Sequence, residues 1–576
     1  MFKKVTETAN TTFSLKIGGP AGRGIKASGL LFSKLAARSG YFVFNETGYP
    51  SLIRGGHNVM KLNVASGPIS ASKKSSDLLI AFDQMTIDLH KDELGGSGGI
   101  IFDADLGLKT NAVAKNIRLF PVPLGKFAHE AGGEELLSNA VALGATAALF
   151  GADLNLLVTL LENEMAGRDE KVISANKLCL ESGYKFVKNN FASQITNQLE
   201  GRDNPLSKVI LDGNEAVALG AIAAGMQFCA IYPMSPISQI IQILALHQEE
   251  YQYVYKQPED EIAAINMAIG ASFAGVRSMV ATSGGGFCLM TEGYGLAGMT
   301  ETPVVIINGM RPGPATGLPT WSEQGDLDFV LNAHQGTFPK IVLAPGDASE
   351  AFYLTIQAFN LADRYQTPVV ILLDKNLCES EQSFAEFDLN IHEFDRGKFL
   401  KGKITNYKRY ALSDDGISLR TVPGTGNFLL ANSYEHDEEG YYTEDPDNRT
   451  AQMEKRMKKL ETCEKADMPK VQLFGPEKAT TTIVSWGSNK GPILEALKSL
   501  PEVNFLHLTW LNPMPSEEVY ECLSKATKVL GVESNFTGQL CNLISQKTGY
   551  QITDKMLRFD GRSFSPEEIV EEVKNL

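Results

Sequence analysis

Five short apolar runs mark out the middle of this chain: Phe228–Tyr232, Ser278–Thr282, Pro303–Ile307, Lys340–Ala344 and Pro368–Leu373. Helix-compatible stretches separate them at Glu215–Gly225, Gln239–Leu246, Glu259–Ala274 and Ser349–Asp363. Strands joined through helices cannot form tight hairpins, so they pair in parallel, with helices over both faces. The same alternation opens the chain, at Phe13–Ile17, Tyr41–Phe44, Leu78–Phe82 and Gly99–Phe102. It closes the chain at Thr480–Gly487, Val503–Leu508 and Lys528–Val532. The expected class is α/β, with several doubly wound parallel-sheet domains. Polar Thr196–Pro205 reads as a linker, and between Glu381 and Gly475 the periodicity fades except for a helix over Asn448–Lys465. The expected domains are 1–195, 206–390, an irregular connection over 391–474, and 475–576.

A formal charge of −15 argues against a nucleic-acid partner, which requires a basic footprint. The seven cysteines are scattered, with no Cys-x-x-Cys pair for zinc or an iron–sulfur cluster, and read as reduced thiols of a cytoplasmic protein. Met1–Thr8 has two lysines and no apolar core behind them, so no signal peptide is expected. The most apolar window, Ala140–Leu161, is broken by Gly151, Asp153 and Asn155, which points to a buried helix or helix pair and no membrane span.

Chemistry concentrates in three places. In Tyr232-Pro-Met-Ser-Pro236, Ser235 fits an ordinary helix N-cap with Pro236 at the first helical position. It equally places a hydroxyl at the carboxyl end of a parallel strand, where ligands of open α/β sheets bind. Glu261 fits the acidic first turn that offsets a helix dipole. Beside Ala263, Ala264 and Ala268 it could instead sit in a dry pocket, where a carboxyl shares a proton with a ring nitrogen. Ser283-Gly-Gly-Gly286 reads as a turn demanding positive φ, or as a loop where a flat ring or anion approaches the backbone. Arg311, in Gly309-Met-Arg-Pro-Gly-Pro-Ala-Thr-Gly-Leu-Pro319, is either a surface cation or a bidentate partner for a carboxylate. A rival signal lies upstream: Gly22-Arg-Gly24-Ile-Lys-Ala27 matches Gly-x-Gly-x-x-Ala, and Glu46 has the spacing of a ribose acid.

Taken together, the motifs resemble the 2-oxoacid:ferredoxin oxidoreductases, in the form where a γ region is fused ahead of α. The γ-like part carries Gly18–Gly24 and Tyr49-Pro-Ser-Leu-Ile-Arg-Gly-Gly56. The α-like part carries Asp212-Gly-Asn-Glu-Ala216, Tyr232–Pro236, Thr282–Met290 and Arg311–Thr320. It continues through Glu435–Gly440, Met453–Arg456, Glu533-Ser-Asn-Phe-Thr-Gly-Gln539 and Phe559-Asp-Gly-Arg562. The resemblance implies a γ-type domain, a pyrimidine-binding domain of thiamine diphosphate enzymes and a transketolase C-terminal-like domain.

It also implies that thiamine diphosphate lies between this chain and a β subunit, with Glu261 at the aminopyrimidine N1′. Tyr232, Pro233, Ser283, Gly284 and Gly285 would line the cofactor, and Ser235 and Arg311 the substrate. Mg2+, the [4Fe-4S] cluster and the diphosphate-binding Gly-Asp-Gly motif would belong to β; this chain contains no Gly-Asp-Gly. Coenzyme A would be co-substrate, ferredoxin the acceptor, and the assembly an (αβ)2 heterotetramer. Ser235 stands where the family has threonine, and Met234 where it has isoleucine. The fused pattern implies 2-oxoglutarate, with a broad or pyruvate-type 2-oxoacid enzyme as the alternative. A dinucleotide-binding oxidoreductase and a non-catalytic scaffold stay open as further readings.

Overall fold

The computed structural model describes residues 12–50, 56–196, 198–199, 201, 208–389 and 394–576. Residues 51–55 of the Tyr49–Gly56 motif, most of the Thr196–Pro205 linker and the opening Met1–Thr8 lie outside the described residues. The chain divides into two compact units. The first runs to Leu211 and adds Ser380–Glu386 and Ser565–Glu568; the second holds Asp212–Glu379, Phe387–Phe564 and Ile569–Leu576.

The first unit is built on an eight-stranded sheet in the order β6-β5-β4-β1-β3-β2-β14-β7. Its strands are β1 (Thr12–Pro20), β2 (Phe42–Gly48), β3 (His57–Ala65), β4 (Ser76–Ala81), β5 (Leu94–Asp103), β6 (Arg118–Val122), β7 (Val209–Leu211) and β14 (Gln382–Phe384). β1, β4, β5 and β6 are parallel as the alternation suggests. β3 is antiparallel to both β1 and β2. Its first half alternates half-buried and buried residues, the pattern of a strand with one polar face. A helix α1 (Ile25–Arg38) follows the glycine loop, where Gly22 and Gly24 have φ of 86° and 70°. The apolar window Ala140–Leu161 is the expected helix pair, α2 (Ser138–Leu149) and α3 (Leu154–Glu164). No described helix is long and apolar enough to cross a membrane.

The second unit contains two sheets. The larger has the order β18-β12-β13-β11-β10-β8-β9. It comprises β8 (Phe228–Ile231), β9 (Val254–Lys256), β10 (Ser278–Ser283), β11 (Val304–Met310), β12 (Ile341–Leu343), β13 (Pro368–Asp374) and an antiparallel edge, β18 (Trp510–Asn512). All seven residues of β13 are buried, as continuous apolar strands covered on both faces must be. The smaller sheet, β15-β17-β16-β19-β20, uses Gln472–Phe474, Val503–His507, Thr481–Ser485, Lys528–Glu533 and Asp554–Leu557. Its strands are parallel except β15. One apolar cluster runs from Ala230, Val280 and Ile306 in the larger sheet to Val484, Leu506 and Leu540.

Eight helices of this unit matter below. They are α4 (Gly213–Ala223), α5 (Ser238–Tyr251), α6 (Glu261–Phe273), α7 (Gly284–Met299), α8 (Leu327–Asn332), α9 (Ala348–Tyr365), α10 (Pro446–Ala466) and α11 (Gln539–Thr548). α10 starts at Pro446 behind an Asp445 cap and holds the irregular connection to the sheet by charge. Lys455 and Lys459 each lie 2.6 Å from Glu301, all three fully buried. Burial would raise the Glu301 carboxyl; Lys455, Lys459 and Arg409 outweigh it and hold it well below the usual carboxylate range. Glu435 receives both guanidinium nitrogens of buried Arg456, at 2.9 and 2.8 Å.

Candidate active site

β8, β10 and β11 are parallel neighbours, so their carboxyl ends bring three segments together. Tyr232–Pro236 leaves β8, the Ser283–Gly286 turn leaves β10, and Arg311 follows β11. On the first segment Tyr232 is half-buried and Pro233 exposed. The N-cap reading of Ser235 fails here, because α5 starts only at Ser238 with Ile237 at its cap. The turn is instead held from α4. Asp212 and Glu215 form a capping box at the start of that helix, and buried Asn214 donates through Nδ2 to the Pro236 carbonyl at 2.9 Å. Arg311 Nη1 donates to the Ser235 carbonyl at 2.8 Å, so the two expected substrate residues meet. Among the described residues Arg311 forms no ion pair.

Glu261 opens α6 behind an Asp260 cap that accepts from the Ala263 amide at 2.8 Å. It is only 3% exposed, and its Oε1 has no hydrogen-bond partner among the described residues. A buried carboxylate oxygen without a donor is costly, and such a group calls for a ligand or partner. The glycines opposite correct one expectation. Gly284, Gly285 and Gly286 form the first turn of α7, and none has positive φ. Close approach is what requires them: a Cβ on Gly286 would stand 2.1 Å from Thr282 Oγ1 and 2.5 Å from Glu261 Oε1. A Cβ on Gly284 would stand 2.5 Å from Asp326 Oδ2. Gly285 is exposed, and its nearest neighbour on that side is Met234 Sδ, at 4.0 Å. Ser283 caps α7 without a side-chain bond, leaving its buried Oγ unpartnered like Oδ1 of Asn308 on β11.

Two carboxylates absent from the sequence expectations join this group. Burial pushes Asp326 up to about 6, with the Asn308 bond and Arg311 pulling the other way. Burial and the nearby Asp326 push Glu323 up to about 7. The Arg311 guanidinium is lowered by burial, with Asp326 opposing. The only trace of these acids in the sequence is the polar run Ser322-Glu-Gln-Gly-Asp326 after the proline-rich loop.

That run is pinned by Gln324, whose Nε2 donates to the Trp486 carbonyl at 2.9 Å and whose Oε1 accepts from Asn489 and the Ser534 amide. Gln539 donates to the Gly325 carbonyl at 2.9 Å, and Arg562 lies 3.3 Å from the centre of the Trp321 ring. The Glu533–Gln539 and Phe559–Arg562 motifs thus secure the loop that carries the site.

The residues fit a thiamine-type ring: a dry carboxylate lacking a donor faces a turn stripped of side chains. Among the described residues no cluster of three or more His, Cys, Asp or Glu could hold a metal ion. A cavity of about 620 Å3 lies at the other end of α7, between Thr291, Met299, His334 and Arg449. Its cations Arg449 and Arg456 are already taken by Glu435. In the first unit the dinucleotide pattern is incomplete. β3 separates β2 from β1, and Glu46 pairs in register with Lys61 instead of flanking the glycine loop.

Comparison with known proteins gives a consistent picture. Residues 219–455 match the model "Pyruvate flavodoxin/ferredoxin oxidoreductase, thiamine diP-bdg", and residues 14–186 match "Pyruvate ferredoxin/flavodoxin oxidoreductase". The chain is 33% identical to the 2-oxoacid:ferredoxin oxidoreductase subunit alpha of a Sulfolobus species, over 96% of this chain and 95% of that one. It is 27% identical to the 2-oxoglutarate oxidoreductase subunit KorA of Mycobacterium tuberculosis, over 96% of this chain and 90% of that one. Among solved structures, the 2-oxoglutarate:ferredoxin oxidoreductase of Magnetococcus marinus superposes with a TM-score of 0.92 at 31% identity. That superposition covers 98% of this chain and 99% of the other, whose structure holds 2-oxoglutarate, coenzyme A and succinyl-CoA.

Proposed function

This chain belongs to the 2-oxoacid:ferredoxin oxidoreductase alpha-subunit family, and from that premise we propose that it forms half of a thiamine diphosphate pocket that oxidatively decarboxylates 2-oxoglutarate. The products are an acyl-coenzyme A and carbon dioxide, with electrons passed to ferredoxin. The observation that carries this reading is Glu261: buried, lacking a donor at Oε1, and pressed against Gly286.

Bound thiamine diphosphate supplies the electron sink for breaking the bond between the carboxylate and carbonyl carbons. Glu261 Oε1 holds the proton shared with a ring nitrogen, in a setting whose dryness strengthens that bond. Arg311, with a single hydrogen bond to Ser235, has further N–H groups to offer a substrate carboxylate. The Ser235 hydroxyl, held at the same turn, is available to the carbonyl oxygen. Gly284–Gly286 keep side chains out of the space a flat ring needs.

On the two helices that carry Glu261 and the glycine turn, Ile262 and Met267 of α6 and Leu289 of α7 are exposed together with Cys288. An apolar patch beside an unfinished site marks an interface. We assign it to a β subunit that brings the diphosphate grip, Mg2+ and the [4Fe-4S] cluster, in an (αβ)2 assembly. The choice of 2-oxoglutarate is supported by relatives of that name that match along nearly the whole chain.

The test is co-expression with β and assay of 2-oxoglutarate, pyruvate and 2-oxobutyrate with coenzyme A and a viologen dye. Highest kcat/KM with 2-oxoglutarate, and none from this chain alone, is the expected result. Turnover by the lone chain would overturn the two-chain pocket, and pyruvate preference would overturn the substrate.

A further inference from the structure

Asp326 occupies the N-cap position of α8, yet its side chain does not cap that helix. The α8 amide of Asp328 is bonded instead by Gln539 Oε1, at 3.1 Å. The Asp326 carboxylate is turned the other way. Its Oδ2 accepts from Asn308 Nδ2 at 3.1 Å, and it lies so close to Gly284 that no Cβ would fit between them. An aspartate diverted from the bond its position offers, onto the ends of β10 and β11, is held there by something other than helix formation.

The carboxylate is near enough to Arg311 that each perturbs the other, and Glu323 adds a second negative charge to the same loop. Arg311 has no ion-pair partner among the described residues. Asp326 thus acts on the cation without neutralising it through a direct contact, and Glu323 acts on Asp326. Such an arrangement leaves the guanidinium fork open while lowering the attraction it exerts on an incoming anion.

We propose that Asp326 is a positioning residue acting through Arg311: fixed by Asn308 against the first turn of α7, its negative charge restrains the arginine's hold on a substrate carboxylate. The proposal rests on the reading of Arg311 as the substrate-carboxylate group. The restraint acts on the bound substrate: the carboxylate Arg311 would hold leaves as carbon dioxide, and an over-tight hold on it before that step lowers KM without raising kcat.

The charged and titratable groups facing Asp326 are Arg311, Glu323 and Cys288. Arg311 stays cationic and the Cys288 thiol, raised by desolvation and Asp326, stays protonated, so only the two carboxyls change charge between about pH 8 and pH 5.5. As they take up protons the opposition fades, and affinity for a 2-oxoacid anion rises.

The experiment measures equilibrium binding of oxamate, a non-reacting 2-oxoacid mimic, by the αβ complex carrying Asp326→Asn. Asparagine keeps the acceptor for Asn308 and removes only the charge. At pH 8 binding should tighten about three- to tenfold, and its pH dependence should shrink to the part contributed by Glu323. Asp326→Asn combined with Glu323→Gln should bind with no pH dependence over that range. Were Asp326 merely structural, the variant would bind more weakly and keep the wild-type pH slope, and that result overturns the proposal. If Asp326→Asn does not assemble, Glu323→Gln alone should still tighten binding, and its failure to do so also counts against the proposal. Oxamate binding does not require turnover. A complex that binds oxamate but decarboxylates nothing sinks the functional reading and leaves this one standing, whereas a complex that binds none sinks this one.

Discussion

At the scale of single residues, the site is a set of steric permissions around one buried acid. Replacing Glu261 by glutamine keeps the shape and removes the carboxyl that holds a shared proton. The αβ complex of that variant should assemble normally and lose tenfold or more in kcat, on the order of a general acid–base contribution. Full activity in a steady-state assay would refute the assignment. Gly286→Ala tests the other side of the same contact. Its methyl would fall 2.1 Å from Thr282 Oγ1 and 2.5 Å from Glu261 Oε1, so it must displace one of them. Overpacking of this kind costs about 1–3 kcal/mol, and the variant should melt lower and bind cofactor more weakly in calorimetry. Ser235 and Arg311 could be picked out of the sequence because each follows a strand with a turn residue beside it, and Glu261 because it opens a helix of small residues. Asn214 and Asp326 could not: one acts through a backbone carbonyl 22 residues later, and the other abandons the helix its position suggests. Spacing along the chain does not encode where such a side chain turns.

At the scale of elements, α6 and α7 each bury one face and expose another. Ile262, Met267, Cys288 and Leu289 stand out on faces that a lone water-exposed pair of helices would fill with polar residues. Leu289→Asp should leave the chain folded, since that side chain is 50% exposed. It should abolish co-purification with β, because a charge at the centre of an apolar contact is left desolvated and unpaired. Normal recovery of the complex by size exclusion would place the interface elsewhere. Four helices and five strands of the middle region were legible from their apolar spacing, with ends off by up to five residues, while β9 was missed. The antiparallel β3 escaped because half of it alternates half-buried and buried residues instead of forming a continuous apolar run. That strand also decides against the dinucleotide pattern, which spacing alone had kept open.

At the scale of the whole molecule, stability depends on buried charge as well as apolar packing. Glu301 and Glu350 are both held below the usual carboxylate range; burial raises each, and nearby cations more than compensate. For a carboxyl lowered by folding, the stability gained is complete above the unfolded value of about 4.5 and drains away as pH falls toward the folded value. The melting temperature should therefore hold from pH 7 to about pH 5 and drop steeply below it. Glu301→Gln would strand Lys455 and Lys459 without a counter-charge, at a cost of about 3–5 kcal/mol. Chemical denaturation should show a loss of that order, and a change under 1 kcal/mol would contradict the buried triad. Charge density in Glu435–Gly440 and α10 was visible in the sequence, but its inward direction was not, since acidic and basic runs usually face water.

Gln324, Gln539 and Arg562 tie the arginine-bearing stretch to the last hundred residues of the polypeptide. A shortened form ending after α10 would retain every side chain nominated for chemistry, yet residues 324 and 325 would lose the bonds to Trp486, Asn489, Ser534 and Gln539 that pin them. The terminal layer, which carries none of the nominated chemistry, thereby pins the run that holds Glu323 and Asp326.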